Sequence, residues 1–126
     1  MRLLLDTHVL LWRMHGTPTL GHEAMEQVNG ADELSVSVIS FVEIGIKVAA
    51  GKLRMPDGVR EHVLESGARI LSLTPEHGLG VAELPLHHRD PFDRLLISQA
   101  RSEGLTVLTA DPHFARYDVP VLSAVV

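Results

Sequence analysis

Five acidic residues, Asp6, Glu43, Asp90, Asp93 and Asp111, each adjoin the end of an apolar run or the start of a helical pattern. Carboxylates gathered in one place repel one another unless a cation lies among them. An all-oxygen ligand set favours Mg²⁺ or Mn²⁺ over zinc. The chain has no cysteine, which excludes disulfide scaffolds, zinc ribbons, thiolate nucleophiles and iron–sulfur clusters. A hard divalent ion held by carboxylates lowers the pKa of a bound water and neutralises charge as a phosphodiester is hydrolysed. It also draws phosphate into a pocket that would otherwise repel it. The formal net charge of −5 argues against gripping nucleic acid by bulk positive charge, so any attraction for phosphate must be local.

Each acid also has a structural reading. Ser40-Phe41-Val42-Glu43 fits a capping box, with Glu43 reaching back to the backbone of Ser40. Asp90-Pro91 and Asp111-Pro112 fit an N-cap followed by proline at the first helical position. Asp93 then becomes a first-turn acid favoured by the helix dipole. Asp6 resists such a reading best, because Thr7 can serve as the cap and a carboxylate closing a buried strand is costly. Lys47 lies four residues after Glu43, the spacing of a helical ion pair. The run His87-His88-Arg89 suits a solvated loop or a contact to RNA phosphate. Trp12 suits the core or a subunit contact. The glycines form no phosphate-binding fingerprint, and the eight histidines form no His-Glu-x-x-His pair.

The elements that must position these residues follow from short apolar runs at 2–5, 34–38, 70–73, 105–109 and 119–122. Continuous apolar runs mark strands buried on both faces, as in a parallel sheet. Helical patterns fall between them at 7–14, 21–28, 40–50, 59–66, 76–84 and 92–103, with Gly51 and Gly104 as stops. Alternating strands and helices imply one α/β domain over 1–126, with a mostly parallel central sheet in a three-layer α/β/α arrangement. Ligands of such sheets bind beyond the carboxyl ends of the strands, where Asp6, Glu43, Asp93 and Asp111 are all expected. The opening segment is too soon charged for a signal peptide. No apolar run is long enough to span a bilayer. A cytoplasmic location is expected.

Four segments carry a family resemblance. Leu3-Leu4-Leu5-Asp6-Thr7-His8-Val9-Leu10-Leu11-Trp12 resembles the opening of VapC-type PIN-domain toxins. Ser37-Val38-Ile39-Ser40-Phe41-Val42-Glu43-Ile44 resembles their second acidic motif. His88-Arg89-Asp90-Pro91-Phe92-Asp93-Arg94-Leu95-Leu96-Ile97 resembles the third, and Leu108-Thr109-Ala110-Asp111 the fourth. The resemblance runs over essentially the whole chain. It implies an endoribonuclease dependent on Mg²⁺ or Mn²⁺, acting on RNA as a toxin neutralised by a small cognate antitoxin. It also implies a homodimer. The family's acidic quartet falls on Asp6, Glu43, Asp93 and Asp111 as catalytic and metal-holding residues, and Thr109 on a supporting hydroxyl. Asp90 is a further acid of this branch. Ala110 stands where relatives commonly carry a basic residue.

Other classes fit less well. A haloacid-dehalogenase-type phosphatase needs a second Asp two residues after Asp6, where this chain has His8. A phospho-receiver needs an acceptor Asp after its third strand and a late Lys, but Thr74-Pro75 follows that run and no Lys follows Lys52. A PIN-like module reduced to binding would have lost its acids. A PIN-like nuclease with a role in RNA processing rather than toxicity remains the alternative.

Overall fold

Leu3, Leu4 and Leu5 are all fully buried, so the strand that carries them is covered on both faces. The structure is a computed structural model describing residues 1–17 and 19–125. Strands β1 (Arg2–Leu5), β2 (Glu33–Ser37), β3 (Arg69–Leu71), β4 (Thr106–Thr109) and β5 (Val121–Ser123) form one sheet in the order β3-β2-β1-β4-β5. Every neighbouring pair is parallel, with Leu3 opposite Leu34 on one side and Thr106 on the other. The most apolar strand therefore lies at the centre, and Asp6 closes it.

Period-two alternation sends successive side chains to opposite faces. Leu3, Leu5, Val36 and Leu108 pack on one side with Val9 and Leu10 of helix α1 (Thr7–His15), Val28 of α2 (His22–Asn29), Ile44 of α3 (Val38–Ala49) and Val63 of α4 (Val59–Glu65). Leu4, Leu71 and Val107 pack on the other with Leu96, Ile97 and Ala100 of helix α6 (Pro91–Glu103), and with Phe114 and Tyr117. Helix α5 (Pro75–Gly80) continues into a short 3-10 turn, Val81–Glu83, and packs on α6. The result is the expected three-layer α/β/α arrangement. Each fully buried leucine contributes roughly 1.5–3 kcal/mol of transfer free energy, so the β1 triplet is a principal anchor.

The serines of β2 point away from the first cluster, toward α6. Ser37 Oγ donates to Gln99 Oε1 at 2.5 Å, and Ser98 Oγ donates to the His77 carbonyl at 2.6 Å. The first bond ties α6 to β2 and the second ties it to α5. Gly80 permits the close approach of α5, since a Cβ there would meet Ser98 Oγ at 2.7 Å.

Two local expectations are corrected. Strand β2 passes into α3 without a loop, because Ser37 is the N-cap and its Oγ accepts from the Ile39 N–H at 3.0 Å. Ser40 makes no capping box; its Oγ bonds Thr7 Oγ1 at 2.8 Å. Glu43 thus sits in the second turn of α3 rather than the first. Thr7 is not a cap either: it is the first residue of α1, and Asp6 holds the N-cap position without a capping side-chain bond. Gly104 ends α6 at φ 68° as expected.

Candidate active site

The carboxyl edge of the sheet gathers the acids. Asp6 leaves β1 with its N–H donated to the Leu108 carbonyl at 3.0 Å. Its Oδ2 accepts from Thr109 Oγ1 at 2.7 Å, while its Oδ1 is buried without a partner. Burial pushes the Asp6 carboxyl above its ordinary value, opposed by the Thr109 hydroxyl and His8 and reinforced by the charge of Glu43. Thr109 Oγ1 also accepts from the Asp111 N–H at 3.0 Å, so one hydroxyl links the ends of β1 and β4.

Glu43 is 2% exposed. Lys47 Nζ donates to its Oε2 at 2.5 Å, the helical pair its spacing predicts, and Oε1 is buried without a partner. The Lys47 ammonium is raised chiefly by the bond to Glu43, with the charges of Asp90 and Asp93 adding to it.

Asp90 caps α6: its Oδ1 accepts from the N–H groups of Phe92 at 2.8 Å and Asp93 at 3.1 Å, with Pro91 as the first helical residue. Asp93, one turn in, is pushed up to about 8 by burial first and then by the charges of Asp6, Asp90, Glu43 and Asp111. Asp111 caps the 3-10 turn Pro112–Arg116 through the His113 N–H. Burial works against its charge, but hydrogen bonds from the His113 backbone and ring and from His88 outweigh it and hold Asp111 below its ordinary value. The sequence-derived quartet therefore shares one edge, and its members act on one another electrostatically.

His88 is the residue that sequence reasoning missed. It was expected in a solvated loop or against phosphate, yet its side chain is only 17% exposed and turns inward. Its Nε2 lies 2.8 Å from Asp93 Oδ2 and 3.0 Å from Asp111 Oδ2. The backbone N–H groups of His87 and His88 both donate to Tyr117 Oη. The Arg94 guanidinium donates to the carbonyls of Val81, Leu84, Pro85 and His88 and to Tyr117 Oη at 3.0–3.4 Å. The only sequence signal was position, immediately before the cap of α6. A cavity of about 320 Å³ beside Asp111 is lined by Thr109, Ala110, Pro112 and Val121. Trp12 packs partly buried against the first core cluster.

Such a site can hold a hard cation and place it against a phosphodiester. The PIN domain family model matches residues 3–120. The chain is 31% identical over 117 residues to Ribonuclease VapC22 of Mycobacterium tuberculosis, covering 86% of both. Its fold is similar to that in the crystal structure of VapBC2 from Rickettsia felis bound to a promoter DNA fragment, with TM-score 0.73, 17% identity and 98% of each chain covered. It is also similar to DNA-bound VapBC from Salmonella typhimurium, with TM-score 0.70, 18% identity and 98% of each chain covered. The chain belongs to the PIN domain family, in its VapC branch.

Proposed function

We propose that this chain is a Mg²⁺- or Mn²⁺-dependent endoribonuclease whose Asp6, Glu43, Asp93 and Asp111 hold the ion, and that it is the toxin of a toxin–antitoxin pair. The observation that carries the reading is a pair of orphaned oxygens. Asp6 Oδ1 and Glu43 Oε1 are both buried without a hydrogen-bond partner. A buried ionised oxygen with no partner is costly, and a hard cation satisfies such oxygens directly.

The remaining bonds orient the set. Thr109 occupies one oxygen of Asp6 and Lys47 one oxygen of Glu43, leaving the other oxygen of each free. Burial first, and then the charges of the neighbouring carboxylates, push the Asp93 carboxyl up to about 8, and a cation placed among them would favour its ionised form. His88 Nε2 bridges Asp93 and Asp111 and keeps their facing oxygens in place. The ion, when bound, supplies a water of lowered pKa and neutralises charge developing on the phosphate. Ala110 offers no cation to the substrate, so phosphate attraction rests on the ion.

The antitoxin, on this reading, lays an apolar helix on the toxin and brings a basic side chain to the acidic pocket. Helix α3 supports such a contact: Val42 and Ile46, one turn apart beside Glu43, are 45% and 51% exposed. A homodimer in the cytoplasm completes the proposal. RNA cleavage by purified protein with Mg²⁺ or Mn²⁺, abolished by excess EDTA, is the test; undiminished cleavage in chelator overturns the metal role. Growth arrest on expression alone, relieved by co-expression of a small protein encoded beside it, tests the toxin role. A chain expressed alone at high level without harm is not a toxin, whether or not it cuts RNA.

A further inference from the structure

We propose that His88, Asp111 and His113 form a second cation site at the rim of the acidic pocket, selective for a borderline divalent ion of the Zn²⁺ or Co²⁺ class. Among the described residues, these are three side chains whose ligand atoms all lie within 4.8 Å of one another. His88 Nε2 is 3.0 Å from Asp111 Oδ2, and His113 Nδ1 is 2.8 Å from Asp111 Oδ1. Ligands bound to zinc at about 2.0–2.2 Å stand roughly 3–3.5 Å apart around a tetrahedron. Each histidine already stands near that spacing from one oxygen of Asp111, and the full set of three donors, within 4.8 Å, closes to a coordination shell by side-chain rotation, with the fourth position open to water.

The donor set differs in kind from that of the pocket. Two imidazoles and one carboxylate suit Zn²⁺, Co²⁺ or Ni²⁺, whereas carboxylates alone suit Mg²⁺ and Mn²⁺. The supporting contacts are in place. The His88 backbone is held by Tyr117 Oη, and its ring meets Phe114 edge-on at 6.3 Å. The rings of His88 and His113 lie 4.8 Å apart with a 33° tilt, side by side over Asp111. Asp111 is fixed by the His113 N–H at 2.9 Å. Binding has a definite local cost. Ligation through Nε2 places the ring proton of His88 on Nδ1, which forfeits the 3.4 Å contact from the Asp90 N–H. It also breaks the 2.8 Å contact to Asp93.

That cost gives the site a consequence. An ion here takes His88 from Asp93 and engages Asp111, so the two sites compete through a shared carboxylate and Zn²⁺ suppresses cleavage driven by Mg²⁺. The competition rests on the function proposed above; the site itself does not.

The test is a Co²⁺ titration of metal-free protein, followed by visible d–d absorption, for the wild type, His113→Gln and Asp6→Asn. One equivalent of Co²⁺ should give the band in the wild type and in Asp6→Asn, and Zn²⁺ should erase it. His113→Gln should bind at least about tenfold more weakly. The His113 side chain is 49% exposed, so its replacement spares the fold. Equal Co²⁺ affinity in the wild type and His113→Gln overturns the site. Loss of the band in Asp6→Asn also overturns it, by placing Co²⁺ in the carboxylate pocket. If no RNA cleavage is found with Mg²⁺, the functional reading fails, while the Co²⁺ titration still decides this site.

Discussion

The two edges of the sheet treat charge in opposite ways. At the amino edge the N-terminal amine pairs with Asp32, Arg2 meets Glu33 at 2.7 Å and the Glu103 carbonyl at 2.9 Å, and Arg69 meets Glu33 at 2.5 Å. Glu33 is held below its ordinary value chiefly by the bond from Arg2. At the carboxyl edge Asp6 and Glu43 each keep a buried oxygen unpartnered, and Asp93 is driven upward by burial and then by its neighbours. One edge is matched and wet; the other is mismatched and buried. Stability is completed at the first and withheld at the second, which is where a cation can complete it.

Neutralising the mismatch at its centre should have the largest effect. Asp93→Asn should lower Mg²⁺-dependent cleavage by at least about a hundredfold, the scale of losing one preorganised electrostatic contact. Without metal the same variant should be more stable, by about 1 kcal/mol or more and hence a few degrees in Tm. The pH dependence fixes the sign. Folded Asp93 titrates at about 8 against an ordinary 3.8, so between those values the folded state keeps a proton that the unfolded chain has lost. Metal-free stability must therefore fall as pH rises through that window. Urea melts at pH 5 and pH 8 should show the decline in the wild type and a flatter profile in Asp93→Asn. A decline of equal size in both would remove Asp93 as its source.

Removing a support rather than a charge should matter less. Thr109→Val strips Asp6 Oδ2 of its donor and the Asp111 N–H of its acceptor. A loss of about 1–3 kcal/mol is expected from unmet buried polar groups, and the Asp6 carboxyl should move further upward. Thermal melts and carboxyl NMR titration would read the two effects. An unchanged Asp6 titration would mean that Thr109 only packs.

Asp90→Asn should change Tm by no more than about 2 °C, because Asn caps a helix about as well as Asp. Its cleavage should fall only a few-fold. If Asp90→Asn abolishes cleavage while Asp93→Asn retains it, the ion site must be redrawn around Asp90. Glu33→Gln at the matched edge should have the smallest effect, within about 1–2 °C in Tm, with the same Mg²⁺ dependence as the wild type. A changed Mg²⁺ requirement there would break the contrast between the edges.

What the sequence made legible was local. Strands buried on both faces write themselves as apolar runs, so β1 and the sheet class could be read directly. Asp90-Pro91 and Asp111-Pro112 carry their caps within three residues. The start of α3 was not legible, because Val38 and Ile39 continue the apolar run of β2 and both Ser37 and Ser40 can cap. That choice is settled by Thr7, 33 residues away, which engages Ser40. The inward turn of His88 depends on Asp111, 23 residues further on, and no window of sequence contains both.

The Arg94 guanidinium has a mechanical meaning. A planar cation bonded at once to four carbonyls and the Tyr117 hydroxyl cannot follow them if they move independently. Segment 81–88, the first turn of α6 and the Tyr117 corner are clamped into one stiff plate, and Asp93 is mounted on it one residue before Arg94. On the function proposed above, an arriving ion would adjust side-chain torsions rather than the backbone beneath Asp93. With Asp93 as a ligand, such a mount would suit Mg²⁺, which demands near-octahedral ligands at about 2.0–2.1 Å, better than Ca²⁺, which relies on pliant surroundings at about 2.3–2.6 Å. Arg94 would then bear on ion size without touching the ion, through the stiffness it lends to Asp93.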